Sequence, residues 1–322
     1  MPRTNLGSTL VIANPTSHSG KGAAAAETVR RFFETYAGAT TGFRLMLTKE
    51  SGDAVRLAAD ASEYDTVIAL GGDGVIHEVV NGLMQVDSAE RPRLGIIPMG
   101  SGNDFARTLS MTLNNPDAAL RELLTGGERT IDLGKVTSDT CPEETYFMET
   151  LSFGLDAAIA VDTTTRRAKG TRQQGSGLFL TSSLKMFARA RRPYACTVRF
   201  DGGEEQKLKT LILAVQNGRT YGGGFRICPA AVPSDGRLDV CYNVRQPWVP
   251  HVLLLLGLAR FGRHTGSAAL RFERIGRIEA DYSSAHETCP CQVDGEELAG
   301  TRFAAEVVPQ ALCVIAPTTC RW

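Results

Sequence analysis

The first 130 residues alternate between short apolar runs and longer amphipathic ones, and this alternation restricts the fold more than any other feature. Leu10-Val11-Ile12-Ala13 reads as a strand, followed by an Ala-rich helix from Gly22 to Ala37 with Val29, Phe32 and Phe33 on one face. Phe43 to Thr48 predicts a strand and Gly52 to Ser62 a helix, then Thr66 to Leu70 a buried strand and Ile76 to Met84 a helix. Leu94 to Pro98 predicts a further strand, with a helix from about Asp104. Strands and helices in strict alternation, with short joints, predict a parallel sheet covered on both faces. From about Ile131 the texture changes to runs such as Tyr146 to Phe153, Cys196 to Phe200, Leu211 to Val215, Leu238 to Val244 and Phe303 to Val308. Turns such as Asp201-Gly202-Gly203 and Asp235-Gly236 separate them, which predicts an antiparallel β domain interrupted by helices near 177–190 and 249–262.

In open parallel sheets, ligands bind beyond the carboxyl ends of the strands. Three polar, glycine-rich clusters fall there: Asn14 to Gly22 after the first strand, Gly71-Gly72-Asp73-Gly74 after Leu70, and Gly100-Ser101-Gly102-Asn103-Asp104 after Pro98. Glycine lets backbone N–H groups approach a polyphosphate, and the helix that follows offers its positive end. One such cluster is most simply a turn; three at successive strand ends of one sheet exceed what turn geometry requires. A Walker loop needs Gly five residues before the Gly20-Lys21 pair, and position 15 is Pro. The dinucleotide fingerprint GxGxxG is likewise absent from the first strand–helix joint.

At 322 residues the chain is long enough for two domains with separate cores. With 35 basic and 35 acidic residues, net charge does not argue for nucleic acid. None of the eight cysteines forms a CxxC pair, so a zinc knuckle is unsupported, and Cys289-Pro-Cys291 reads as two loop thiols. Met1 to Ser8 lacks the pattern of a signal peptide, and the longest apolar run, Val252 to Ala259, is too short to span a bilayer and predicts a buried helix. A cytoplasmic location with reduced thiols is expected, with peripheral contact at the inner membrane face an open option. Between Thr163 and Phe200 stand nine basic residues (Arg166, Arg167, Lys169, Arg172, Lys185, Arg189, Arg191, Arg192, Arg199) and no acidic one. With Leu178, Phe179, Leu180, Leu184, Met186 and Phe187, that stretch suits either an anionic lipid surface or the solvated edge of a packed helix.

Gly71-Gly72-Asp73-Gly74 followed by Glu78 to Gly82, then Gly100 to Arg107, resembles the diacylglycerol kinase catalytic domain, shared by bacterial lipid kinases, sphingosine kinases and ceramide kinases. Asn217-Gly218-Arg219-Thr220-Tyr221-Gly222-Gly223-Gly224-Phe225 is similar to the family's NGxxxGGG segment. Pro229 to Val240, with Asp235-Gly236-Arg237-Leu238-Asp239, resembles its PxAxxxDGxLD segment, and Val293-Asp294-Gly295-Glu296 its late DGE signature. The resemblance covers residues 8–318 in the family's order.

The resemblance implies a nucleotide-binding α/β domain (1–130 and 309–322) and a β-sandwich-like lipid-substrate domain (131–308), with the active site between them. It implies ATP and Mg2+ as cofactors. Asn14, Pro15, Thr16 and Lys21 of the first loop, Gly71, Gly72, Asp73 and Gly74 of the second, Thr48 and Ser101 would surround the nucleotide. Asp73 and Asp104 would hold magnesium, since phosphoryl transfer depends on positioning and charge neutralisation. Asp294 and Glu296, two apart in a Gly-centred turn, could both face the cleft, and either would accept the hydroxyl proton. A second, structural metal would take the Asp235 carboxylate and the backbone oxygens of Val232 and Arg237. The partner implied is a lipid at a membrane surface, not nucleic acid, with a homodimer left open. Val75 stands where the family commonly has Thr, and His77 where bacterial members often have Asn. The reading is an ATP-dependent kinase of diacylglycerol or a related lipid. The alternatives are a sphingoid-base, ceramide, NAD or sugar kinase, or a non-catalytic relative.

Overall fold

The computed structural model describes residues 6–168, 193–245 and 248–322, and the chain divides into two compact units. The first comprises Met1–Ile131 with Gln310–Trp322, the second Asp132–Pro309.

In the first unit, β1 (Ser8–Ala13), β2 (Gly42–Leu47), β3 (Thr66–Gly71) and β4 (Arg93–Pro98) form a parallel sheet in the order β2-β1-β3-β4. Helices α1 (Ser17–Thr35), α2 (Asp53–Ala59), α3 (Asp73–Leu83), α4 (Asp104–Thr108) and α5 (Pro116–Thr125) alternate with the strands. β3 is buried along its whole length, as a central parallel strand must be, whereas β2 at the edge is half exposed. The last long strand returns to this sheet, where Val314 pairs in parallel with Leu94 of β4. Strand order reverses at β1, which pairs with β2 on one side and β3 on the other. The crevice beyond that reversal is where open α/β sheets bind ligands.

One glycine of this unit is fixed by the packing of two helices. A Cβ on Gly82 would overlap the Val55 carbonyl of α2, so the residue lets α2 lie against α3. Glu78, one turn earlier, accepts from Ser51 Oγ and from the Ala54 N–H, both at 3.2 Å, and so caps α2. The segment Glu78 to Gly82 is therefore a packing and capping device.

In the second unit, β7 (Thr150–Gly154), β10 (Ile212–Gln216), β11 (Leu238–Asn243), β12 (Leu270–Ile275), β14 (Cys291–Val293) and β15 (Glu296–Glu297) form an antiparallel sheet in the order β12-β11-β10-β7-β14-β15. A second group contains β8 (Tyr194–Phe200), β9 (Gln206–Thr210), β13 (Arg277–Asp281) and β16 (Arg302–Ala316), with β5 (Gly127–Ser138) and β6 (Thr145–Phe147) joined to it through β16. Period-two alternation decides what each face buries. Leu238, Val240 and Tyr242 of β11 enter the core shared with Phe153, Val198 and Phe303. Cys241, on the opposite face, packs with Leu155, Ile159 and Tyr221 under α6 (Leu155–Ala168) and α7 (Val249–Ala259).

Three sequence expectations change. Tyr146 to Phe153 is two strands with a break at Met148 and Glu149, for a reason that lies in the site below. Cys289 and Cys291 are buried core residues rather than loop thiols, and burial pushes both thiols up, which makes them poor nucleophiles. Helix α7 is only half covered, with Leu253 and Leu254 exposed. The helix expected near 177–190 lies outside the described residues. Among the described residues no helix is long and apolar enough to cross a membrane.

Candidate functional site

The three glycine-rich loops of the first unit meet at the carboxyl ends of its strands. Asn14 leaves β1 with its N–H on the Leu70 carbonyl of β3 at 3.0 Å, and its side chain accepts from the Thr16 N–H at 2.9 Å and hydroxyl at 2.8 Å. This Asx turn starts the first loop. His18, Ser19 and Gly20 then take left-handed backbone angles, and α1 continues past Lys21, which is exposed. Gly22 sits so tightly over the Asn14 carbonyl that a Cβ there would overlap it. His18 Nδ1 lies 3.4 Å from the Gly100 carbonyl, which links the first loop to the third. Thr48, half buried, donates its N–H to Ala13 at 2.9 Å.

The second and third loops are in backbone contact. A Cβ on Gly100 would fall 2.6 Å from the Cα of Gly72, which excludes a side chain at Gly100, and one on Gly72 would lie a tight 3.3 Å from the Cα of Gly100. Asp73, the first residue of α3, accepts the N–H of Asn103 at 2.7 Å on Oδ2 and that of Asp104 at 2.8 Å on Oδ1. The carboxylate thus pins the third loop to the second. Asn103 is buried at φ 55 and donates to the Gly100 carbonyl at 2.9 Å, which sets the turn that aims Asp104. Gly71 and Val75 are buried, and a Cβ on Gly71 would meet Val75 at 3.0 Å; Val75 fills this corner as a packing residue. Gly74 and Ser101 are half buried, and buried His77 lies 3.4 Å from Asn81 Nδ2 through Nε2.

A divalent cation fits the arrangement on one geometric ground. A Cβ on Gly102 would lie 2.7 Å from Asp73 Oδ2 and 3.3 Å from Asp104 Oδ2. Both carboxylates therefore flank one small space that only glycine keeps open, and hard oxygen donors suit magnesium.

In the second unit Asp294 and Gly295 form the two-residue turn between β14 and β15, at φ 48 and 97. Two left-handed residues are what a tight hairpin requires, and Asp-Gly supplies them. The Asp294 carboxylate turns inward and accepts three backbone N–H groups, from Met148 at 2.8 Å, Glu149 at 3.1 Å and Thr150 at 2.9 Å. These bonds explain the break between β6 and β7. Glu296, by contrast, is exposed on β15. The expectation that both carboxylates present themselves alike is thus corrected: one is committed to the backbone, the other faces solvent.

Sequence reasoning missed Glu149. It is buried, its carboxylate lies against the Cα of Gly218, and its carbonyl accepts the Asn217 N–H at 2.9 Å. The available signal was a single acid inside the apolar run Phe147 to Phe153. Asn217 Nδ2 donates to the carbonyls of Asp132 and Met148, both at 2.9 Å. Gly222, Gly223 and Gly224 all have positive φ and fold Tyr221 back onto Phe225. Only glycine takes that path without strain.

The Asp235 loop does not fit a resident cation. Asp235 Oδ1 accepts the Arg237 N–H at 3.1 Å, Oδ2 is paired with the Arg274 guanidinium, and the Val232 carbonyl accepts the Ser234 N–H at 2.8 Å. Both oxygens of Asp235 thus already have partners, one of them a cation. Asp239 is pushed up to about 6 by burial, eased by Arg274 and reinforced by Asp235.

Beneath α7 lies an apolar cavity of about 80 Å3 lined by Leu155, Ile159, Leu255, Leu256 and Tyr221. Its one carboxylate, Asp156, is pushed up to about 7 by burial and accepts from the Tyr221 hydroxyl at 3.2 Å.

A parallel sheet whose strand ends carry glycine-rich loops and a close carboxylate pair is an arrangement suited to a polyphosphate and its cation. Comparison with known proteins gives the family. Residues 8–136 match the diacylglycerol kinase catalytic domain, and residues 149–316 match the YegS C-terminal NAD kinase beta sandwich-like domain. A "Probable lipid kinase YegS-like" protein of Chromohalobacter salexigens is 35% identical over 84% of this chain and 83% of its own. "Lipid kinase YegS" of Escherichia coli K12 is 29% identical over 85% and 86%. The chain belongs to this diacylglycerol kinase-like, YegS-type family. A crystal structure of a Bacillus anthracis diacylglycerol kinase covers 98% of each chain at a TM-score of 0.69 and 19% identity, and shows the same fold. An NAD kinase from Archaeoglobus fulgidus, solved with ATP, shares it more distantly, at 0.55 and 12%.

Proposed function

We propose that the chain is an ATP-dependent lipid kinase that transfers the γ-phosphoryl group to a hydroxyl of diacylglycerol or a related lipid. The observation that carries the reading is the pair of carboxylates, Asp73 and Asp104, on either side of Gly102 at the strand ends of a parallel sheet. Asp73 and Asp104 would hold magnesium, which when bound neutralises the charge of the polyphosphate. Asn14, Pro15, Thr16, Lys21, Thr48, Gly71, Gly72, Gly74 and Ser101 line or flank the same loops and are the proposed nucleotide contacts.

Glu296, the exposed carboxylate of the pair, accepts the proton of the attacking hydroxyl. Asp294 is a positioning residue: its three backbone bonds hold the turn from which Glu296 projects. The hydroxyl oxygen bonds to the γ-phosphorus as the bond to the β-phosphate oxygen breaks, leaving ADP and a phosphorylated lipid.

The test is transfer from radiolabelled ATP to a total lipid extract, then separately to diacylglycerol, sphingosine, ceramide and NAD. Label in an organic-phase lipid, lost in the Asp73→Ala variant, is the expected result. Label only in the nucleotide fraction, or none, would refute the reading.

A further inference from the structure

Helix α7 is apolar apart from His251, yet its Leu253 and Leu254 side is exposed. Leu255 and Ala259 are buried, with Val252 and Leu256 against the core beneath, while Leu254 is 58% exposed and Leu253 37%. Trp248, immediately before the helix, is 71% exposed, and Phe261, in the turn after it, 70%. A helix apolar all round is ordinarily enclosed, so a bare apolar face bracketed by two exposed aromatics calls for a partner.

The charge around the patch indicates which partner. From Val240 to Phe272 the sequence has no acidic residue, but it contains Arg245, Arg260, Arg263 and Arg271. Arg245, Arg260 and Arg263 are exposed and stand within three residues of Trp248 or Phe261 in the sequence, and Arg260 donates to the Gly224 carbonyl at 2.8 Å. A Trp and a Phe at the two ends of an apolar helix, with arginines alongside, match the boundary between headgroups and acyl chains. A second copy of the chain fits poorly, because a two-fold interface would bring the same arginines towards one another.

We infer that the α7 face docks on an anionic bilayer, with Trp248, Leu253, Leu254 and Phe261 entering the interface and Arg245, Arg260 and Arg263 meeting lipid phosphates. This deepens the lipid-kinase reading and rests on it for the choice of partner. It is a separate surface from the basic stretch between Arg166 and Arg199, of which the structure describes the pairing of only two members. Arg166 lies 3.9 Å from Asp162, and Arg199 pairs with Glu205 at 2.7 Å and Glu279 at 3.3 Å. Residues 169–192 of that stretch lie outside the described part of the structure.

The experiment uses the full chain and two kinds of vesicle, phosphatidylcholine alone and phosphatidylcholine with about a third phosphatidylglycerol. The chain has two tryptophans, so Trp322→Phe leaves Trp248 as the only indole emitter. Its emission should shift to the blue with anionic vesicles and not with neutral ones. In co-sedimentation, the combined Trp248→Ser, Leu254→Ser and Phe261→Ser variant should bind at least about tenfold more weakly. Arg245→Gln and Arg263→Gln should each cost about fivefold at low salt and little at high salt. All these positions are exposed, so thermal midpoints should hold. An unshifted Trp248 emission, or vesicle binding by the Ser variant equal to wild type, overturns the proposal. So does a Ser variant that loses only self-association in sedimentation velocity. Vesicle binding without phosphorylation of any lipid would leave docking standing and remove the kinase reading. Turnover of detergent-dispersed lipid without vesicle binding would do the reverse.

Discussion

Asp156→Asn isolates one buried charge, and its effect can be worked out in advance. The side chain is 4% exposed and its folded pKa is raised from 3.8 to about 7, chiefly by burial. Between those values the folded state keeps a proton that the unfolded chain releases, so stability falls as pH rises through this window and levels off above about 7. Each unit corresponds to about 1.4 kcal/mol, which sets a ceiling of about 4 kcal/mol lost by pH 8. Asparagine does not titrate and still offers a carbonyl to the Tyr221 hydroxyl. The variant should therefore match wild type near pH 4 and exceed it at pH 8 by up to about 4 kcal/mol, or roughly 8–16 °C in thermal midpoint for a unit of this size. Asp239, also raised by burial, is common to both proteins and cancels in the comparison. The assay is the thermal midpoint followed by circular dichroism from pH 4 to 8 on both proteins. Parallel curves would refute the assignment of a burial cost to Asp156.

Three further outcomes follow from the site. Gly102→Ala, which places a methyl group against the Asp73 and Asp104 carboxylates, should lower turnover at least about a hundredfold and also lower the thermal midpoint, because the Asp73 carboxylate that pins Asn103 and Asp104 must shift; near-wild-type turnover would mean the space is not used. Glu296→Gln should abolish most turnover and leave stability unchanged, while Asp294→Ala should lose both, at about 2–4 kcal/mol for three bereft N–H groups; equal stability of the two variants would contradict the positioning role. Because Arg274 already meets Asp235, the Asp235→Ala variant should respond to magnesium in thermal melts as wild type does; loss of a magnesium-induced rise would restore the structural metal.

The strand–helix alternation and the three strand-end clusters were legible in sequence because period and turn chemistry are local properties. The paired roles of the clusters were not. Gly72 and Gly100 are 28 positions apart, and nothing short of the folded sheet shows that each leaves room for the other. The same holds for Asp294, which reads as a hairpin turn or as a base. Its three acceptor bonds go to residues more than 140 positions away. Arg274 against Asp235 and Glu149 against Gly218 were invisible for the same reason. Helix α7 departs in the other direction: its apolar composition predicts burial, and only the packed structure shows which face is covered.

By itself, then, the sequence determined the α/β and β halves, the order of the loops and the family, because these depend on spacing along the chain. Tertiary structure alone decided which carboxylates are committed to backbone donors, which are exposed and which pay for burial. Hydrogen bonding and desolvation depend on distance in space, and distance in space is set only when strands far apart in sequence become neighbours.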